Sequence, residues 1–173
     1  MIITEKVTWY EVQALWDGYK TWSEILAKIN WVRGANIPEG ISEAIVCICT
    51  KGELIRSGHG DVLLPNQQVG EVKATSLPQG RKDLSSFSPK AKFDKLFFVE
   101  ILSKDEGTFL VYDLRMSRSD VEGIKVNNNT TFLQHAKAGK RPRFSIRREI
   151  ISQHGLKPTW KVDVPNKKVR PIV

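Results

Sequence analysis

The sequence predicts an α/β fold, a central mixed β-sheet flanked by helices. Three observations carry this. Two stretches within the first 50 residues repeat apolar side chains at three- and four-residue steps, the period of a helix buried on one side. Two later stretches, 95–102 and 108–114, are rich in Phe, Val, Ile and Tyr and read as strong strands. The element order (helix, helix, strand, strand, helix, strand, strand, helix, helix, strand) suits a sheet covered by helices. A chain of 173 residues, 40% hydrophobic and 27% charged, is expected to form one domain with its own core. Within it we expect an N-terminal helical part at 8–50, a hairpin at 60–75 and a basic part at 139–173.

Each element has its reason. In 8–31, Trp9, Val12, Leu15, Trp16, Tyr19, Trp22, Ile25, Leu26 and Ile29 keep helical spacing, with Gly18 a possible break. The tryptophan stripe is read as core or dimer packing rather than a binding platform. Pro38 can open a second helix to residue 50, with Ile41, Ile45 and Ile48 on one stripe. Glu43 lies within this apolar helix and needs a reason to be there. Asp61–Leu64 and 69–75 form a hairpin around Pro65-Asn66-Gln67-Gln68. Helices are expected from Ser85 to Phe93, from Thr130 or Thr131 to Lys137, and from Ser145 to Gly155. Thr159–Val164 is the last expected strand, and the basic tail after Pro165 reads as loose.

Charge and cysteine content narrow the function. A net charge of +8 favours a polyanion such as nucleic acid, or an acidic membrane surface. No apolar run nears the roughly 18 residues of a spanning helix, and the N-terminus lacks a secretion-signal pattern, so a cytoplasmic protein without a membrane role is expected. Cys47 and Cys49 lack a second pair to complete a zinc site and read as buried free thiols. No His-Asn-His or Cys-rich nuclease set is present.

The constellation that carries chemistry is Gly60-Asp61, nine residues, then Glu71-Val72-Lys73. Strand alternation puts Glu71 and Lys73 on one face and turns Val72 into apolar packing. If the hairpin brings Asp61 alongside, two carboxylates converge and repel unless a cation lies between them. Hard oxygen donors with open positions suit Mg²⁺, which keeps waters and accepts phosphate oxygens. The Val72 carbonyl is a further candidate ligand. Register decides the matter. Leu64 opposite Val69 would turn Asp61 to the wrong face, whereas Leu63 opposite Val69 or Leu64 opposite Gln68 brings it to Glu71, through a three- or five-residue loop or a bulge. A solvated strand face or a surface ion pair would use the same residues.

These residues, with Glu43 on the preceding helix, resemble the PD-(D/E)XK nuclease superfamily, with Gly60 in place of the motif's proline. The likeness extends through Ile41-Ser42-Glu43, Glu71-Val72-Lys73-Ala74-Thr75, 83–90, Phe93-Asp94, Tyr112-Asp113-Leu114 and 141–145 to small Type II restriction endonucleases, in particular the group that cuts GC-N-GC. The resemblance implies a restriction-endonuclease-like core and Mg²⁺-dependent hydrolysis of double-stranded DNA, with Mn²⁺ able to substitute. It implies 5′-phosphate ends, catalysis by Asp61, Glu71, Lys73 and Glu43, and a homodimer matched to a short near-palindromic site. The long first helix is a candidate dimer face.

For DNA contacts, Arg141, Arg143 and Arg147 cluster at the helix start after Ser145, where backbone amides favour an anion. Ser76, Arg81, Lys82, Ser86, Lys90 and Lys92 follow the proposed catalytic strand. Asn127-Asn128-Asn129 reads as a plain turn rather than a reader loop, and His59 as structural. A repair, junction-resolving or phage nuclease and a non-catalytic DNA-binding module are the alternatives. Sequence-dependent cutting and Mg²⁺-dependent cutting, respectively, separate them from the leading reading.

Overall fold

Two apolar arcs and one long amphipathic helix set the architecture. The computed structural model describes residues 2–29, 36–57, 59–76, 83–127 and 129–172. In chain order the elements are β1 (Ile3–Lys6), α1 (Trp9–Lys28), α2 (Glu39–Thr50), β2 (Glu53–Ser57), β3 (Val62–Leu63), β4 (Val69–Thr75), β5 (Ser85–Ser86), β6 (Lys95–Ser103), β7 (Thr108–Asp113), α3 (Phe132–Lys137), β8 (Arg143–Phe144), a π-helix (Arg147–Ser152), β9 (Trp160–Asp163) and β10 (Lys168–Pro171). The main sheet runs β1-β2-β3-β4-β6-β7-β9-β10. It is mixed, because β4 and β6 are parallel and its other pairs are antiparallel. β5 and β8 form a separate two-stranded ribbon.

Strand alternation sorts the apolar residues to two faces. Val72, Phe97, Val99, Phe109 and Val111 join Val12, Trp16, Ile41 and Ile45 of α1 and α2 in one core. Leu96, Phe98, Tyr112 and Leu114 point the other way and join Phe87, Phe132, Phe144, Ile146 and Ile150. The second core is aromatic, with Phe87 and Phe144 stacked 5.2 Å apart at 6°. Truncating any of its buried phenylalanines to Ala would cost about 3–5 kcal/mol.

Several expected elements differ. Gly18 does not break α1, which is continuous over 20 residues, since one glycine costs only about 1 kcal/mol against tertiary packing. The helix expected from Ser85 is instead β5 followed by a turn. Ser85 pairs with Phe144, and the Phe87 amide donates to the Pro142 carbonyl at 3.0 Å. Long-range pairing and the buried Phe87 ring override the local cap signal. The tail is not loose, because β10 pairs with β9 from Lys168 to Pro171. Its exposed Lys and Arg alternate with half-buried Val169, a weak period-2 pattern. β1 and β2 were not expected. Ser145 does cap the last helix, its Oγ accepting from the Arg148 amide at 3.2 Å, and Gly155 follows with φ +59°. That helix, however, has a π-helical centre.

Candidate active site

The hairpin between β3 and β4 fixes the site. Leu63 pairs with Val69, and the Leu64 amide donates to the Gln68 carbonyl at 2.9 Å. The connection is a three-residue loop, Pro65-Asn66-Gln67, closed by Gln67 in the left-handed region at φ +66°. This is the register that turns Asp61 toward Glu71. The Asp61 amide donates to the Gly70 carbonyl at 2.8 Å, and its Oδ2 accepts from the Val72 amide at 2.6 Å. Gly60 precedes it at φ +82°, where a Cβ would lie 2.1 Å from Val69 Cγ1. Glycine at position 60 is thus required by both conformation and space.

On β4, Glu71 and Lys73 share the face of Leu96 and Phe98, their partners on β6. The Lys73 Nζ lies 2.7 Å from Glu71 Oε1 and 5.3 Å from the centre of the Phe87 ring. Glu71 is buried and Lys73 half-buried, so the pair is shielded from bulk water.

Electrostatics brings in α2. Burial, then the neighbouring Glu71 carboxylate, pushes the Asp61 carboxyl up to about 6. Burial, then Asp61, pushes the Glu43 carboxyl up to about 7, with Glu39 and Glu71 adding to the effect and Lys73 opposing it. Glu43 therefore has the reason its apolar helix demanded, because it belongs to this acidic cluster. Glu71 pairs directly with the Lys73 ammonium, Asp61 and Glu43 lie in electrostatic reach of both, and a divalent cation would offset this concentration of acids. Among the described residues no cage of three or more His, Cys, Asp or Glu side chains is complete. Asp61 and Glu71 are hard oxygen donors of the kind that would suit an ion that keeps several waters. The thiols take no part, as burial pushes Cys47 and Cys49 up to about 12.

The sites expected to contact DNA divide. Ser86, on β5, lies across from Arg143 on β8 and accepts from Arg141 Nε at 3.2 Å. Arg141, Arg143, Lys90 and Lys92 are exposed, and the ribbon ends at the ring under Lys73. Ser76 Oγ donates to Asn36 Oδ1 at 3.3 Å at the end of β4. Arg81 and Lys82 lie outside the described residues. Arg147 is paired within the protein. Its Nε is bonded to Glu100, which is 3% exposed and also accepts from the Tyr112 hydroxyl at 3.2 Å. The anion that offsets a cation at this helix start comes from the protein itself. Asn127 Oδ1 accepts from the Asn129 and Thr130 amides, so this segment is a turn; Asn128 lies outside the described residues.

Sequence reasoning missed Glu100 and Phe87. An acid inside the apolar run of β6 was a readable signal for the first. Nothing in the sequence links Phe87 to Lys73, since the contact needs the pairing of β5 with β8.

Comparison with known proteins adds independent findings. The model of a family described as Bsp6I restriction endonuclease matches residues 7–153. The Type II restriction enzyme Bsp6I of Bacillus sp. (strain RFL6) is 36% identical over 154 residues, covering 87% of both chains. No solved structure matches the chain.

Proposed function

The chain belongs to the Bsp6I restriction endonuclease family, and from that membership we propose a Mg²⁺-dependent, site-specific hydrolase of double-stranded DNA with a PD-(D/E)XK-type centre. The observation that carries this reading is the register that turns Asp61 toward Glu71, with Lys73 on the Glu71 face and Glu43 in electrostatic reach.

Asp61, Glu71 and the Val72 carbonyl would hold the ion, and Glu43 would tune or extend the ligand set. The metal would polarise the phosphoryl oxygens and offset charge developing on them. The Val72 amide holds the Asp61 carboxylate in place. Glu71 anchors the Lys73 ammonium, and Lys73 would give a remaining N–H to the scissile phosphate or orient the attacking water. Arg141, Arg143, Ser86, Lys90 and Lys92 would hold the duplex, with phosphate contacts setting position and base contacts setting sequence. The products would carry 5′-phosphate and 3′-hydroxyl ends.

The target would be short and near-palindromic, of the GC-N-GC kind, cut by a homodimer with one strand per subunit. The exposed face of α1 supports the dimer. Leu15, Trp22, Ile25 and Ile29 are each 44–61% exposed and fall on one stripe beside the buried Val12, Trp16 and Tyr19.

The test is cleavage of a long DNA of known sequence with Mg²⁺, with EDTA, and with Lys73→Ala. Discrete Mg²⁺-dependent bands, lost in the variant, are expected, and end-sequencing reads the site. Intact DNA under all conditions, with binding retained, would leave a binding module.

A further inference from the structure

Lys73 is held from two sides, and only one of them is an acid. Glu71 Oε1 lies 2.7 Å from its Nζ. The face of Phe87, fully buried, lies 5.3 Å from the same atom, within the roughly 6 Å reach of a cation–π contact. The ring is not free to turn away. It stacks on Phe144 at 5.2 Å and 6°, meets Phe132 edge-on at 5.3 Å, and its amide is bonded to Pro142. Phe87 also follows Ser86 directly, so it is the residue by which the β5–β8 ribbon reaches the centre.

We infer that Phe87 is a positioning residue for Lys73. This rests on the catalytic reading of Lys73 given above. A lysine has three N–H donors on a flexible stem. Glu71 can take one. The ring attracts the charge without accepting a full hydrogen bond, so it fixes the ammonium while leaving N–H groups for the phosphate. A second carboxylate there would compete for those donors. An aliphatic side chain would fill the space but leave the stem able to swing.

The test grades the ring's electrostatics at nearly constant shape. Mono-, di- and trifluorophenylalanine are placed at 87 by suppression of a stop codon, with the same series at 144 as control. Fluorination drains negative charge from the ring face and weakens cation–π attraction stepwise. The readouts are the single-turnover cleavage rate at saturating Mg²⁺ and the DNA dissociation constant in Ca²⁺. The expected result is a stepwise fall in rate at 87, reaching on the order of tenfold, with unchanged DNA affinity and a flat series at 144. A rate independent of fluorination at 87, or an equal fall at 144, would overturn the inference. Lys73→Ala separates the two levels. If that variant is inactive while the series is flat, only the role of Phe87 fails. If it cleaves at the parent rate, the catalytic reading fails and takes the inference with it.

Discussion

Two buried glutamates lie on the same face of the sheet, four residues of β4–β6 register apart, and they are surrounded in opposite ways. Glu100, aligned with Thr75, is bonded to the Arg147 guanidinium and the Tyr112 hydroxyl. Charge and lone pairs there are balanced within the protein. Glu71, aligned with Leu96, shares one lysine with Asp61 and Glu43. The first cluster is closed and holds the π-helix to β6. The second is open, and burial first, then the neighbouring carboxylates, raises the Asp61 and Glu43 carboxyls. A balanced buried pair is what a fold needs; an unbalanced one asks for a ligand.

Breaking the closed cluster has the largest expected effect on stability. Arg147→Met leaves Glu100 charged and buried, and is expected to cost about 3–5 kcal/mol in urea denaturation. Adding Glu100→Leu with Tyr112→Phe, which removes the hydroxyl that Glu100 accepts from, should recover most of this, because a well-packed apolar cluster is often as stable as the ion pair it replaces. A loss under about 1 kcal/mol for Arg147→Met alone would erase the contrast between the two clusters.

In the open cluster the effects reverse. Lys73→Met should change stability by less than about 1 kcal/mol, since the stem still packs and the surplus acids can take up protons. Cleavage should fall about 10²–10³-fold, the cost of losing one preorganised donor. A rate loss matched by an equal loss of folded protein would make Lys73 structural.

Proton linkage gives the next effect. The Asp61 and Glu43 carboxyls titrate at about 6 and about 7 in the folded protein, above their ordinary 3.8 and 4.5. Between about pH 4 and pH 7 the folded chain therefore binds more protons than the unfolded one, and metal-free stability falls as pH rises. For Asp61 this amounts to on the order of 2–3 kcal/mol across the window. Mg²⁺ binds the ionised form, so the rise in Tm on adding Mg²⁺ should be larger at pH 8 than at pH 5.5. Cleavage should rise with pH across the same interval. Asp61→Asn should abolish cleavage and flatten the pH dependence of the Mg²⁺-induced rise in Tm, and a pH-independent Mg²⁺ effect in the parent would argue against these carboxylates as ligands.

The two clusters also differ in how far the sequence reveals them. The open site was legible because its elements are local. Glu71 and Lys73 share a face by strand alternation alone, and a turn of Pro65-Asn66-Gln67 limits the hairpin to few registers. The helices at 9–28 and 39–50 were legible through their period. The closed cluster joins β6 to residue 147, and no local pattern pairs positions 47 residues apart. The same holds for β5, whose Ser85-Ser86 carries a helix-cap signal that pairing with β8 overrides. β1 at the sheet edge and β2 beside it are of mixed polarity, without clean alternation.

The smallest predicted effect separates arginines that the sequence places in one cluster. Arg147 is bound to a buried acid, whereas Arg141 and Arg143 stand exposed on the ribbon beside Ser86. Removing an exposed cation leaves no buried charge behind, so Arg143→Ala should alter stability by less than about 0.5 kcal/mol. If its partner is a DNA phosphate, affinity should weaken almost equally for cognate and unrelated duplexes. The slope of log K against log salt should then shrink by about one. If Arg143 instead reads a guanine edge, the loss should be about 1–3 kcal/mol and confined to the cognate site. The ratio of cognate to non-cognate binding, measured at two salt concentrations in Ca²⁺, distinguishes these roles. An unchanged affinity for both duplexes would remove Arg143 from the DNA interface.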